Sequence, residues 1–130
     1  MLEKSCFSLP WNERQCCAAL AQTSFTAFGL FFGIKLFAYI SFYHIEDEME
    51  IVNLAVTDRM RRLGHGKFLL NTALHAGQKM GMHKVSLEVR RLNTIAIRLY
   101  EGCGFTLEGV RKRYYRDTGE DALIYQKCLA

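Results

Sequence analysis

The sequence has few of the features that mark disordered, secreted or membrane-spanning chains. Only one proline and one tryptophan occur in 130 residues, and half of the residues are apolar while 23% are charged. This is the composition of a folded protein with a hydrophobic core. The longest apolar region, 25–43, is interrupted by Gly29, Gly33 and Lys35, so we interpret it as paired strands rather than a membrane span.

The first residues, MLEKSCFSLPW, lack the uninterrupted apolar segment of a signal peptide. The five cysteines are odd in number and form no CxxC motif, and the adjacent Cys16 and Cys17 cannot easily share a metal ion or bridge one another. We therefore expect a cytoplasmic protein with reduced cysteines and no metal site. The net charge of +4 is mild. It suits an anionic ligand but does not indicate nucleic-acid binding.

The pattern along the chain predicts a single domain, 1–130, in which helices flank a mixed sheet, an architecture of the α+β or α/β class. No repeat, low-complexity tract or linker divides it. Within 2–22 we expect the end of a helix, a turn and a short helix capped by Asn12. Three strands of an antiparallel meander (25–33, 35–48 and 49–56) follow, and then a helix over 66–79 and a strand over 84–90. The last expected elements are a helix over 94–104 capped by Asn93 and strands in 105–115 and 122–129. The residues expected to line one face of the 66–79 helix are Leu69, Ala73, Ala76 and Met80.

A glycine-containing turn, RRLGHGKFLL from Arg61 to Leu70, lies between a predicted strand and a predicted helix. The amino end of a helix offers unpaired backbone N–H groups and a partial positive charge, and Gly64 and Gly66 would let a phosphate approach closely. An ordinary glycine turn with solvated arginines explains the same residues, so both interpretations stay open. The GxxxxGK[ST] and GxGxxG patterns of nucleotide-binding proteins are absent.

A second group of candidates lies in LEVRRLNTIAIRLYEGCGF, residues 87–105. Glu88 falls in the middle of a strand, on the face opposite its apolar neighbours, and is either a solvent-facing glutamate or a functional one. Asn93 and Tyr100 are seven residues apart, which places them on nearly the same face of the following helix. Asn93 could simply cap and Tyr100 could simply pack, or both could belong to a site.

Together these segments resemble the GNAT superfamily of acetyl-coenzyme A dependent N-acetyltransferases, whose cofactor motif Q/R-x-x-G-x-G/A corresponds to RRLGHG. With NLAV, the early FxxPW and the late YYRDTGEDALIY, the chain is most similar to the ribosomal-protein alanine N-acetyltransferases (RimI-type) of that superfamily. The motifs follow the family order along nearly the whole chain. Because the family usually has a further strand and most of a helix before the position of Leu2, the resemblance implies an N-terminally short domain.

The resemblance implies a GNAT fold, acetyl-coenzyme A as cofactor, and a role for each matching residue. Leu54, Ala55 and Val56 would form a splayed strand whose backbone binds the pantetheine arm and the thioester carbonyl, and Asn93 would also contact that arm. The residues that would wrap the pyrophosphate are Arg61, Arg62, Leu63, Gly64, His65, Gly66 and Lys67. His65 stands where a small or apolar residue is usual, so it either touches a phosphate or has a solvated or packing role.

Glu88 is similar to the general base of the family and Tyr100 to its general acid. Attack on a thioester requires a neutral amine, and a peptide α-amine, with a pKa near 8, is roughly a tenth neutral at pH 7. Glu88 would accept a proton directly or through water, and the Val56 N–H would stabilise the developing oxyanion. The Tyr100 hydroxyl would then protonate the departing thiolate. No covalent intermediate is needed, so Cys103 is interpreted as a packing residue.

The basic and aromatic stretch 111–116 has three interpretations: contact with nucleic acid, an exposed strand end, or one wall of an acceptor groove. In the resembling family this strand and the next flank the groove for the acceptor peptide, with the loop 7–11 opposite. We therefore interpret Trp11, Tyr114 and Tyr115 as substrate-binding residues.

Three functions are compatible with these patterns. The favoured hypothesis is transfer of acetyl to the N-terminal amine of a protein, by resemblance the N-terminal alanine of a small-subunit ribosomal protein. The same fold could instead acetylate lysine side chains or a small-molecule amine. A non-catalytic RNA- or ribosome-binding module is the alternative from another class. The favoured hypothesis involves neither a membrane nor nucleic acid.

Overall fold

The computed structural model describes the backbone of Cys16–Ala18 and, with their side chains, residues 25–57 and 64–129. The elements of this part are β1 (Cys16–Ala18), β2 (Phe25–Phe32), β3 (Lys35–Ile45), β4 (Glu48–Val56), α1 (His65–Lys79), β5 (Lys84–Arg90), α2 (Thr94–Gly102), β6 (Thr106–Arg111) and β7 (Ala122–Cys128). The residues expected to carry the cap at Asn12 and the preceding helix lie outside the described ranges.

The seven strands of the described residues form one sheet in the order β1-β2-β3-β4-β5-β7-β6. Neighbours are antiparallel except β4 and β5, which are parallel and are connected through α1. Aromatic and β-branched residues dominate β2 and β3, as their pleated and largely buried positions favour. The predicted mixed sheet with flanking helices is therefore confirmed, and so is the meander β2–β3–β4.

One expectation is wrong. The sequence predicts a short helix within 12–22, but Cys16–Ala18 is a strand that pairs antiparallel with β2, with Cys17 opposite Gly29. Local helix propensity is a weak preference. In this segment, backbone hydrogen bonding to the edge of β2 outweighs that preference.

β4 carries one extra residue at its centre. Ser41 of β3 lies opposite Asn53, but the next residue, Phe42, lies opposite Ile51, so Val52 forms a bulge. A bulge bends its strand and increases its twist. The ladder between β4 and β5 ends at the same point, with the pair Ile51 and Leu87.

Beyond this point the two strands separate while each keeps its other neighbour. β4 remains paired with β3 as far as Val56, and β5 remains paired with β7 as far as Arg90. We call the gap between 52–56 and 88–90 the wedge. It is an opening within the sheet, bounded on both sides by strand backbone.

α1 packs its apolar face against β2, β3 and β4. The buried residues of this helix are His65, Leu69, Leu70, Ala73, Leu74 and Gly77. The expected face is thus confirmed at Leu69 and Ala73, but Met80 ends the helix with 42% of its surface exposed. The left-handed Gly81 follows it, as the sequence predicts. Neither helix of the described part combines the length and the apolar character that a membrane crossing requires.

α1 approaches the sheet closely at Gly77. A Cβ atom added there would overlap the buried Sδ of Met49 and lie 3.3 Å from Leu129 Cδ1. We expect Gly77→Ala to lower the free energy of unfolding by about 1 to 3 kcal/mol, because the packed core cannot easily accommodate an added methyl group. Urea unfolding followed by circular dichroism measures this.

Gly102→Ala is the matched control, since nothing lies within 4 Å of a Cβ atom at the exposed end of α2. It should leave stability unchanged or raise it by up to about 1 kcal/mol, as helix propensity favours alanine. Equal effects of the two substitutions would contradict the packing described for Gly77.

Candidate active site

The backbone of β4 faces the wedge at alternate residues. The Thr57 N–H donates to the Phe37 carbonyl oxygen at 2.8 Å, so the opposed residues 37 and 57 form a hydrogen-bonded pair. Such pairs alternate along an antiparallel ladder. Leu54 and Val56 therefore direct their N–H and C=O groups away from β3, toward the wedge, while Ala55 directs its own to β3 opposite Tyr39.

The amino end of α1 lies beside the end of β4. A Cβ atom on Gly66 would lie 3.4 Å from Leu99 Cδ2 and 3.9 Å from Val56 Cγ2, so β4, α1 and α2 converge there. Gly64 adopts a φ of 84°, and no side chain caps the first turn of this helix within the described residues. The first turn contains the exposed Lys67 and no acidic residue. These features suit an anion.

The His65 side chain lies in the core. The residue is 6% exposed, and its ring meets the ring of Phe37 edge to face, with centroids 4.8 Å apart. This contact agrees with a packing role, while contact of His65 with a phosphate stays a prediction. Four other candidates, Trp11, Arg61, Arg62 and Leu63, lie outside the described residues.

Asn93 caps α2, as the sequence predicts. Its Oδ1 accepts a hydrogen bond from the Ala96 N–H at 3.2 Å. Within the described residues no hydrogen bond involves its Nδ2, so the amide remains a possible donor to a ligand while the oxygen serves the helix.

Glu88 lies at the wedge edge of β5 and is paired with an arginine. Its Oε2 accepts a hydrogen bond from Arg111 Nε at 2.5 Å, and Arg111 reaches it from β6 across β7. The Glu88 side chain is 22% exposed. Among the described residues only Oε2 of this carboxylate is engaged, which leaves Oε1 able to accept a proton from an amine or a water.

Tyr100 is buried in the last turns of α2, with its ring 5.8 Å from that of Phe105. Burial raises the pKa of Tyr100 to about 12, and the nearby Tyr115 adds to this effect. The phenol is therefore protonated throughout the physiological range, which is the state that a proton donor requires.

Tyr115 interacts electrostatically with both candidate catalytic residues, Glu88 and Tyr100. Burial raises the pKa of Tyr115, and the Glu88 carboxylate raises it further, so Tyr115 interacts electrostatically with Glu88 as well as with Tyr100. Its ring also stands at 87° to that of Tyr114, with centroids 5.1 Å apart. The structure thus gathers Glu88, Tyr100, Tyr114 and Tyr115 at the carboxyl end of β5, next to the wedge.

The arrangement combines a helix end suited to an anion, a strand edge with directed backbone groups, a carboxylate and a neutral phenol. Chemically, it can hold an extended, partly anionic ligand and move protons at one end of it. Within the described residues no group of three or more His, Cys, Asp or Glu side chains is placed to hold a metal ion.

Two arginines at this site are not among the sequence-predicted candidates. Arg111 stood out only as part of a basic stretch, and its pairing with Glu88 depends on the register of three strands. Arg90 follows Glu88 by two residues on the same face of β5. Arg90 could have been identified from two signals in the sequence. Side chains alternate along a strand, which places Arg90 beside Glu88, and the acidic turn RDTGED offers partners for an arginine.

Comparison with known proteins finds relatives along most of the chain. The profile of the Acetyltransferase (GNAT) family matches residues 2–105. The ribosomal protein bS18-alanine N-acetyltransferase of Escherichia coli (strain K12) is 32% identical over 125 residues, which cover 95% of this chain and 84% of that protein.

Solved structures share the fold. The crystal structure of the ribosomal-protein-S18-alanine N-acetyltransferase from Escherichia coli aligns with a TM-score of 0.79 at 32% identity, covering 85% of this chain and 72% of that chain. A GNAT family acetyltransferase from Elizabethkingia anophelis, with acetyl-CoA bound, aligns with a TM-score of 0.74 at 19% identity, covering 82% and 77%. At that identity the likeness concerns the fold alone.

The raised pKa of Tyr100 has a consequence for stability at high pH. Tyr100 ionises near pH 10 when unfolded and near pH 12 when folded, so its contribution is complete below pH 10 and is lost as the pH rises from 10 to 12. We expect Tyr100→Phe to reduce the alkaline fall in the free energy of unfolding by up to roughly 2 to 3 kcal/mol. Urea unfolding at a series of pH values measures this.

Tyr43→Phe, at a half-exposed ring on β3, serves as the control and should retain the wild-type dependence. An alkaline profile that Tyr100→Phe does not change would mean that Tyr100 is not buried as described.

Proposed function

Because the chain belongs to the acetyltransferase (GNAT) family and is an acetyltransferase, we propose that it transfers acetyl from acetyl-coenzyme A to the N-terminal α-amine of a protein. The observation that carries the proposal is the wedge, with Glu88 on its β5 edge and Tyr100 beside it on α2. The proposed acceptor is the N-terminal alanine of a small-subunit ribosomal protein, since the Escherichia coli relative is named for that activity.

The wedge and the start of α1 support acetyl-coenzyme A as the cofactor. Its extended pantetheine arm can accept and donate hydrogen bonds along the edge of β4, where Leu54 directs its backbone groups outward. Its pyrophosphate suits the helix end formed by Gly64, Gly66 and Lys67. The acetyl-CoA that is bound to the structurally similar acetyltransferase from Elizabethkingia anophelis agrees with this assignment.

The proposed reaction is direct attack of the amine on the thioester. Glu88 Oε1 accepts the proton that the amine loses, directly or through a water, while Arg111 holds the other oxygen. The Val56 N–H stabilises the oxyanion of the tetrahedral intermediate. Tyr100, a neutral phenol at physiological pH, gives its proton to the leaving thiolate. The amine nitrogen gains the acetyl group, coenzyme A leaves as the thiol, and the proton taken by Glu88 returns to Tyr100 through solvent.

An N-terminal amine is the acceptor that this site can activate most easily. Roughly a tenth of α-amines are neutral at pH 7, against about 0.04% of lysine side chains, so a carboxylate base is sufficient for the former. The aromatic pair Tyr114 and Tyr115 borders the same end of the wedge, where the first residues of an acceptor peptide would lie.

The catalytic roles predict specific losses. We expect Glu88→Gln to lower kcat about 10²- to 10⁴-fold at pH 7, since it removes the base, and Tyr100→Phe to lower kcat by a similar factor, since it removes the acid. The Michaelis constant for acetyl-coenzyme A should change little. Steady-state release of free thiol measures both parameters.

Glu108→Gln, at an exposed carboxylate on β6, is the control for the charge change and should behave like wild type. Thermal unfolding verifies that each variant is folded. Unchanged turnover in folded Glu88→Gln would refute the role of the base, and unchanged turnover in folded Tyr100→Phe would refute that of the acid.

The acceptor is tested with short peptides that begin with Ala, Ser or Met, an acetyl-blocked peptide that contains lysine, and a polyamine. We expect acetylation of free N-termini, with alanine preferred, and no modification of the blocked peptide. Mass spectrometry locates each acetyl group, and calorimetry measures binding of acetyl-coenzyme A.

Acetylation of the blocked peptide or of the polyamine in preference to free N-termini would favour the alternative acceptors. Absence of acetyl-coenzyme A binding would exclude the proposed reaction. Salt-dependent RNA binding that coenzyme A does not affect would favour a binding module.

A further inference from the structure

The segment between β6 and β7, residues 112–121, is held at two places. At its base, the Asp121 carboxylate accepts hydrogen bonds from the Arg113 N–H at 3.0 Å, Arg91 Nη1 at 3.2 Å and Lys112 Nζ at 3.4 Å. These contacts fix the point where the segment returns to β7. They do not involve its middle, which carries Tyr115 and Asp117.

The middle of the segment is bonded by the side chain of Arg90. Its Nη1 and Nη2 donate to the two carboxylate oxygens of Asp117, each at 3.0 Å, in the bidentate geometry that is the strongest form of this pair. Nη1 also lies 3.3 Å from Glu120 Oε1 and 3.4 Å from Thr118 Oγ1. The hydrogen bonds from Arg90 hold the pKa of Asp117 below its usual value.

The same guanidinium supports the tyrosine that faces the catalytic residues. Arg90 Cζ lies 4.0 Å from the centre of the Tyr115 ring, within the range of a cation–π contact. The Tyr115 N–H donates to the Glu120 carbonyl oxygen at 3.2 Å, and its own carbonyl oxygen accepts from the Gly119 N–H at 2.8 Å. Arg90 therefore contacts both the ring of Tyr115 and the turn to which the Tyr115 backbone is bonded.

We propose that Arg90 is a positioning residue for the acceptor side of the site. Because it forms hydrogen bonds with Asp117 and also contacts the ring of Tyr115, it fixes segment 112–121 beside Glu88 and Tyr100. Only the expected effect on acetyl transfer rests on the proposed function; the expected effect on the segment itself does not. Arg90 touches neither reacting group. The cofactor side of the wedge, formed by β4 and the start of α1, has no described contact with Arg90.

The first test uses the protein without substrate. Segment 112–121 contains Lys112, Arg113 and Arg116, so limited digestion with trypsin under native conditions reports how firmly it is held. We expect Arg90→Lys, which keeps the charge but loses the bidentate geometry, and Asp117→Asn to be cleaved in this segment at least several-fold faster than wild type. Arg98→Lys, at an exposed position on α2, is the matched control and should be cleaved like wild type.

The second test uses acetyl transfer to an alanine-initiated peptide. In Arg90→Lys and Asp117→Asn we expect the Michaelis constant for the peptide to rise about tenfold, while that for acetyl-coenzyme A stays within twofold. A general loss of folding would move both constants together, so this split separates positioning from destabilisation. Because Asp117 is largely exposed, its variant remains informative if Arg90→Lys folds poorly.

The digestion tests whether Arg90 holds the segment, and the kinetics test whether the segment serves the acceptor side. Cleavage of both variants at the wild-type rate would show that Arg90 does not hold the segment. Faster cleavage with equal changes in both Michaelis constants would overturn the acceptor-side role. If wild-type protein acetylates no peptide, the proposed function fails, while the digestion result still decides whether Arg90 fixes the segment.

Discussion

The extra residue in β4 is the constraint on which the rest of the site depends. Because Val52 has no partner on β3, β4 bends away from β5 immediately after their last shared pair, Ile51 and Leu87. Had the two strands continued in register, the backbone groups of Leu54 would have been used in a ladder. The bulge therefore opens a strand edge inside the sheet, whereas such an edge is normally found only at an exposed outer strand.

The two sides of the wedge differ in electrostatic character. The start of α1, which has no side-chain cap within the described residues, lies against Val56 and carries Lys67 but no acidic residue in its first turn, so it suits an anion. The carboxyl end of β5 carries Glu88, whose charge Arg111 balances. Tyr100 differs from both, since it is a buried phenol whose pKa is raised by that burial to about 12. One opening thus has a helix end suited to an anion, a carboxylate and a neutral phenol in distinct electrostatic environments.

Sequence patterns predicted the features of the fold that depend on the local preferences of the residues. The meander, the helices that begin near Gly66 and at Thr94, and the Asn93 cap all follow from periodicity and capping residues. The splayed strand was predicted only from the resemblance to acetyltransferases, because no local pattern indicates it. The strand at Cys16–Ala18 was missed because its partner β2 decides it, and the pairing of Glu88 with Arg111 was missed because it depends on register across three strands. Roles assigned to Trp11 and Arg61 stay predictions.

The four pairs from Glu48 and Lys84 to Ile51 and Leu87 are the ladder that joins the two halves of the described sheet. The hairpins of β2, β3 and β4 close over short turns, whereas this ladder joins residues separated by all of α1. Closing the longer loop costs more chain entropy, so we expect the halves to form before they unite. A molecule that binds in the wedge, as we propose, would contact both halves and so stabilise the folded sheet by mass action. The stability of the sheet would then depend on the concentration of that ligand.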